Sequence, residues 1–345
     1  DHRFALGCEP DLNAPKGLCL FTDEHRAQRW QVFCGRRCSP YIARLRRQLA
    51  QSCQYDAVPD MQGVDWSKYD FFYFMNTGKS TPIFQRPPIP TIMFGCDTWN
   101  GGFQEVIDRV RPEILHTPYP AAWIQKFKIP QQTQVMLATW AHTAYFTRSN
   151  VHGPKTLDLI VTGAISIARY YAPRVDLNKQ VKPLTKDYRI EFKHHFGSNS
   201  WKHSGPLEYY FNDEDGIVRY LNKWSEHLGT SKYVIFGPCT ETASEYMLMK
   251  YFECMGSGAV PIMPEVQDLQ RLLIEPMIHY IPIANVWKNN ERLRYYLDNY
   301  DRYQRIAENA IRWHTRNVHY LTYDRFENMI MMLTDYKYPR RRLSI

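Results

Sequence analysis

The chain has no apolar run long enough to cross a bilayer. Its longest, such as Gly258–Met263 and Phe71–Met75, span six and five residues, where a membrane helix needs about 20. The first ten residues, DHRFALGCEP, lack the basic-then-apolar order of a secretory leader. The chain begins at Asp1 rather than Met, which leaves open whether residues precede it. There is no internal repeat or low-complexity tract, which excludes solenoids and fibrous arrays. Close cysteine pairs are scarce. Among Cys8, Cys19, Cys34, Cys38, Cys53, Cys96, Cys239 and Cys254 only Cys34 and Cys38 are near one another, and no second pair follows at zinc-finger spacing. The thiols therefore read as reduced and the chain as cytoplasmic. No Gly-x-Gly-x-x-Gly follows the first strand of either half, which argues against a dinucleotide-dependent oxidoreductase. Charge of one sign is nowhere concentrated except at Arg340, Arg341 and Arg342.

What is present fits two ordinary globular domains: 345 residues, 44% hydrophobic and 23% charged. The net charge of +8 is diffuse, with 17 Lys/Arg against 13 Asp/Glu in residues 1–150 and 26 against 22 in 151–345. Such a field attracts phosphorylated donors, anionic polymers or nucleic acid without choosing among them. Short apolar runs alternate with amphipathic stretches, the pattern of an α/β protein. In the first half Trp30–Phe33, 69–75, 90–95, 113–117 and 134–138 read as strands, and Tyr41–Gln51 as a helix. The continuous apolar runs among them suit parallel sheets covered on both faces. The polar segment ending at His152-Gly153-Pro154 sets a domain boundary, giving 1–152, 153–320 and a closing helix with basic tail at 321–345. In the second half 157–163, 188–192, 231–238, 258–263 and 279–283 read as strands. Helices are expected over 216–228, 242–254, 289–316 and 320–334.

The segment 231–263 carries the chemistry. A strand ends at Phe236-Gly237-Pro238, and Thr240, Glu241, Thr242 and Ser244 then open the expected helix. A helix start offers unpaired N–H groups and partial positive charge, suited to a diphosphate, and the hydroxyls could cap it or donate to phosphate. Glu245 and Glu253, eight residues apart on one helix, would share a face about 12 Å apart. A carboxylate is a good acceptor for two ribose hydroxyls.

This segment resembles the donor motif of retaining glycosyltransferases of the GT-B class, Glu-x7-Glu followed by a small-residue turn and a Pro-containing strand: here Glu245, Glu253, the turn Cys254–Gly258 and Ala259-Val260-Pro261. It is most similar to the spore-maturation-type glycosyltransferases. Residues 157–174, with Gly163 and the Tyr170–Arg174 element, resemble the first strand and loop of that family's donor domain. His314–Leu333 resembles its closing helices. The resemblance implies two Rossmann-like, doubly wound domains facing across a cleft, with the acceptor bound by the first and the nucleotide sugar by the second. It implies that Glu253 holds the donor ribose, that Glu245 sits near the transferred sugar, and that Arg174 and Lys179 neutralise the diphosphate. It further implies retention of configuration.

Asp97, after the 90–95 strand, either orients an acceptor hydroxyl or stabilises a turn. His142, near the interdomain crossing, either meets the donor sugar or is structural. Asp213-Glu214-Asp215 is an Asp-x-Asp, but it precedes a helix and is explained by capping. No cofactor or metal is expected beyond a UDP- or GDP-sugar. The expected activity is glycosyl transfer to a hydroxyl of a glycan or protein, with a modified nucleic-acid base as alternative acceptor and a non-catalytic GT-B scaffold as alternative function. Peripheral membrane contact stays open.

Overall fold

The structure is a computed structural model that describes residues 14–20, 53–58, 61–76, 85–95, 102–138, 151–163, 168–193, 214–238, 246–247 and 249–335. The chain divides into two compact units, one of Asp1–Thr139 with Tyr320–Ile345 and one of Trp140–His319.

The first unit holds six parallel strands, β1 (Lys16–Leu20), β2 (Gln54–Val58), β3 (Phe71–Asn76), β4 (Thr91–Gly95), β5 (Ile114–Thr117) and β6 (Gln134–Leu137), in the order β2-β1-β3-β4-β5-β6. The helices α1 (Phe103–Val110) and α2 (Pro120–Lys126) connect the later strands. Phe71, Phe72, Tyr73 and Phe74 are all fully buried. A central parallel strand is covered on both faces, so an uninterrupted aromatic run is what it requires. The expected strands at 69–75, 90–95, 113–117 and 134–138 are thus β3 to β6. Those at Trp30–Phe33 and the helix Tyr41–Gln51 lie outside the described residues. β1 and β2 were not anticipated: one carries Gly17 and the other Asp56 in a run of only five residues.

The second unit follows β7 (Leu157–Thr162), α3 (Ala168–Val181), β8 (Ile190–Lys193), α4 (Glu214–Gly229), β9 (Ser231–Ile235), α5 (Met249–Met255), β10 (Val260–Met263), α6 (Gln267–Arg271), β11 (Ile281–Pro282), α7 (Asn290–Asp298) and α8 (Tyr300–His319). Its five strands are parallel, in the order β11-β10-β9-β7-β8. Leu159, Val161, Tyr233, Ile235, Val260 and Ile262 form one core cluster with side chains of α3, α7 and α8. After α8 a π-helical turn, Tyr320–Asp324, leads into α9 (Arg325–Thr334). Phe326, Met329 and Ile330 of α9 close the core of the first unit with Phe71, Tyr73, Ile92 and Ile114. The chain therefore consists of two parallel-sheet α/β domains.

At the amino ends of the second sheet, packing is tight around His314. A Cβ placed on Gly256 would lie 2.7 Å from His314 Nε2, so only glycine lets the imidazole seat there. Burial lowers the His314 pKa from its ordinary 6.5 to about 4. Between those values the unfolded chain binds a proton that the folded chain refuses, so stability falls as pH drops through this window. The expected loss from this group is roughly 3 kcal/mol. Urea midpoints measured at pH 7 and pH 4.5 check it: His314→Leu should show a smaller drop between the two than the parent chain.

Candidate functional site

The strand order of the second unit reverses between β7 and β9. From β7 the chain passes through α3 to β8 on one side, and β9 then pairs on the other side of β7. The connections leave in opposite directions, and such a switch point opens a crevice at the carboxyl ends of the two strands. β7 ends at Thr162-Gly163, and β9 runs out at Phe236-Gly237.

Arg174 occupies this place. Its Nε donates to the Gly237 carbonyl at 3.0 Å, and its guanidinium carbon lies 4.8 Å from the centre of the Tyr171 ring. The side chain is buried, at 4% exposure. Glycines stand at both strand ends beside it, and the one at 163 is constrained most. Gly163 has φ +117° and would place a Cβ 3.1 Å from Arg174 Cδ. A Cβ on Gly237 would meet Arg174 Cγ at 3.4 Å and the Pro173 carbonyl at 3.5 Å. The local sequence explains the geometry. Helix α3 is broken at Tyr171 (φ −123°, ψ 21°), and Pro173 sits just after the break. There its missing N–H costs nothing, because the first N–H groups of a helix have no partner within it. Arg174 thus stands in the first turn of the resumed helix, where the helix end adds partial positive charge. At the end of β7, Thr162 is buried, and its Oγ1 meets no hydrogen-bond partner among the described residues. Sequence reasoning missed Thr162. The available signal was a hydroxyl as the last residue of an apolar strand, directly before a glycine.

Glu253 lies on α5 at 1% exposure. Its Oε2 accepts from Lys250 Nζ at 2.8 Å and from the Trp224 indole Nε1 at 3.2 Å, and Lys250 Nζ stands 5.6 Å from the Trp224 ring centre. Lys250 is itself buried. The expected helix over 242–254 is corrected. Tyr246 and Met247 are not helical, and the helix begins only at Met249. The stretch Tyr246–Phe252 is apolar on every side apart from Lys250, so no amphipathic period holds it in one helix, and Met247 is buried ahead of the first turn. Glu245 and Glu253 therefore do not share one face of a continuous helix, and the spacing drawn from that helix lapses.

Lys179, five residues beyond Arg174, is exposed (74% of its side chain) and pairs with Asp176 at 3.6 Å. The structure does not bring it to Arg174's contacts. Glu245, Asp97, His142, Thr240, Glu241, Thr242 and Ser244 lie outside the described residues. Asp213 does too, although α4 begins at the next residue, Glu214. Among the described residues no three His, Cys, Asp or Glu side chains group as metal ligands.

The Lys250–Glu253 pair is testable as a unit. Breaking a buried ion pair leaves one charge stranded, whereas replacing both partners by apolar groups is far less costly. Lys250→Met is expected to destabilise the protein by about 3–5 kcal/mol. The double variant Lys250→Met/Glu253→Leu should recover most of that loss in chemical denaturation.

No protein-family model matches the chain, and no curated protein matches it in sequence. Solved structures do match in fold. A DNA-modifying β-glucosyltransferase, solved in the presence and absence of uridine diphosphoglucose, aligns with TM-score 0.52 and 12% identity over 93% of this chain and 100% of that one. A glycosyltransferase from Rickettsia africae aligns with TM-score 0.51 and 9% identity over 94% of this chain and all of that one. Anabaena HepE, in complex with UDP and glucose, gives TM-score 0.51 and 12% identity over 91% and 99%. The chain shares with these glycosyltransferases the two-domain GT-B fold.

Proposed function

We propose that the chain is a glycosyltransferase that moves a sugar from a nucleotide-diphosphate donor, a UDP-sugar before a GDP-sugar, to an acceptor hydroxyl. The observation that carries this is Arg174, a buried cation fixed between two glycines at the carboxyl ends of β7 and β9. In an open parallel sheet this is where ligands bind, and a guanidinium at a helix start is suited to a diphosphate. The fold shared with proteins solved with UDP or UDP-glucose supports the choice of base.

In this reading the acceptor hydroxyl oxygen forms a bond to the anomeric carbon while the bond from that carbon to the diphosphate oxygen breaks, and the hydroxyl proton passes to the departing diphosphate. The electron pair leaves with the diphosphate, whose added charge Arg174 and the resumed start of α3 offset. The Thr162 hydroxyl donates to the same phosphates, with the Thr240–Ser244 segment completing the anion site; Lys179, paired with Asp176 in solvent, is left out of it. Glu253 takes the ribose hydroxyls, its orientation fixed by Lys250 and Trp224. Glu245 stands at the transferred sugar, and Asp97 and His142 serve the acceptor and sugar. By the motif resemblance the transfer retains configuration and needs no metal.

A nucleic-acid base as acceptor is the second reading. It is favoured by the net charge of +8 and by the fold shared with a DNA-modifying enzyme. Salt-sensitive binding of DNA would select it. Turnover of the donor, slow hydrolysis included, separates either enzyme from a non-catalytic scaffold.

A thermal-shift screen against a panel of nucleotide sugars tests the donor assignment. A ligand at a hundredfold excess over its Kd adds about 2.7 kcal/mol of stability. One nucleotide should raise the Tm, and Glu253→Ala and Arg174→Lys should each abolish that rise beyond any change in their own unliganded Tm. Equal stabilisation of both variants, or no response to any nucleotide, defeats the assignment.

A further inference from the structure

We propose that the loop 272–279 of the second unit and the adjoining row of arginines on α8 form a docking surface for an anionic lipid membrane. The loop carries three apolar side chains in water: Leu273 at 72% exposure, Met277 at 44% and Ile278 at 43%. Leu273 (φ 56°) and Met277 (φ 59°) both hold left-handed backbone conformations, which residues other than glycine seldom adopt. Backbone strain that presents large apolar groups to solvent is the mark of a contact site rather than of a core.

The loop is preformed. Ile274 is fully buried beneath it. Met277 N donates to the Tyr280 carbonyl at 2.7 Å, and Glu275 N donates to His279 Nδ1 at 3.0 Å. Two bonds seat it on α8: Trp313 Nε1 donates to the Leu272 carbonyl and Asn309 Nδ2 to the Ile278 carbonyl, each at 3.1 Å.

Asn309 belongs to a row at helical spacing, Arg302, Arg305, Asn309, Arg312 and Arg316, whose four arginines are all exposed. Residues three and four apart share a helix face, so the row lies along the side of α8 that meets the loop. Arg312 NH1 reaches Asn309 Oδ1 at 3.3 Å, linking the cation directly to the loop's anchor. Two acids flank the row: Glu308, beside Arg305 and Arg312, lies 3.9 Å from His152, and Asp301 stands four residues before Arg305, so the arginines outnumber the acids four to two. Glu275, on the loop itself, is the one acid between the apolar tips.

Apolar tips beside a basic stripe match the two layers of an anionic bilayer surface, acyl chains below and phosphates above. A nucleic acid would use the arginines but leave Leu273 and Ile278 without a role. Position supports the same partner. The loop directly precedes β11, so it lies at the amino ends of the strands, opposite the carboxyl ends that hold Arg174. Docking there leaves the proposed donor site open.

Flotation of the full chain with phosphatidylcholine vesicles, with and without phosphatidylserine, tests the proposal. Binding is expected only with phosphatidylserine and should weaken as salt is raised. Arg312→Ala/Arg316→Ala should weaken it roughly 25-fold, about fivefold per cation. Leu273→Gly/Ile278→Ser should abolish it while leaving the Tm and any nucleotide-induced shift unchanged, since both side chains are exposed and glycine relieves the left-handed backbone. Absence of binding to phosphatidylserine vesicles overturns the proposal. So does vesicle binding that survives the loop variant, or duplex DNA binding that the arginine variant removes while vesicles are not bound.

Discussion

A guanidinium lodged between two glycines is the contact on which the second unit's carboxyl end is built. It exists because parallel strands must be joined by crossovers of one hand. When the chain places β8 on one side of β7 and β9 on the other, the two connections diverge and a gap opens above the pair. Among the described residues a buried cation, Arg174, stands at this place. Arg174 reaches it because α3 breaks at Tyr171 and restarts at Pro173, aiming the first turn of the new segment at the glycine ends of both strands. A larger residue at 163 would press on the arginine, and a straight α3 would carry it elsewhere.

The opposite end of the sheet is organised by close packing. Gly256 lets His314 close on the turn between α5 and β10, and Lys155 binds the carbonyls of Gly229 and Gly258 at 2.8 and 2.9 Å. Between the two ends, Lys250, Glu253 and Trp224 join α4 to α5 through polar contacts in a buried setting. A pair of this kind adds little stability over apolar packing but is costly to break, so it fixes how two elements sit more than how tightly they hold.

The strands were legible where one signal was enough. Tyr69–Met75 and 157–163 are unbroken apolar runs, and only a doubly covered parallel strand asks for that. β1 and β2 escaped because Gly17 and Asp56 interrupt runs of five, leaving no period to read. Pro173 hid α3, since proline marks a helix interior as broken unless the break itself is foreseen. The candidate site was half legible. Arg174 and Gly163 were found through motif resemblance, and the structure sets them against one another. Thr162 was missed because a single hydroxyl at a strand end has no pattern. The continuous helix over 242–254 failed for the opposite reason. Length and capping residues argued for it, but Met247 goes into the core before the first turn, and tertiary burial overrides local propensity.

Sequence identities of 9–12% to proteins of the same fold follow from what the fold constrains. A parallel sheet specifies apolar volume along its strands and small residues at its switch point, not which apolar residue stands where. The second unit therefore has two ends under different rules. Its carboxyl ends carry the buried cation Arg174 that the proposed donor site is built on. Its amino ends are free to vary, and here they carry Leu273, Met277 and Ile278 beside a row of arginines. If that end rests on an anionic surface, the strands stand away from it and Arg174 faces the aqueous side. A soluble donor then approaches unobstructed, and the surface fixes the orientation of the unit that binds it. The opposition of the two ends is a property of the parallel sheet itself, since every strand points the same way.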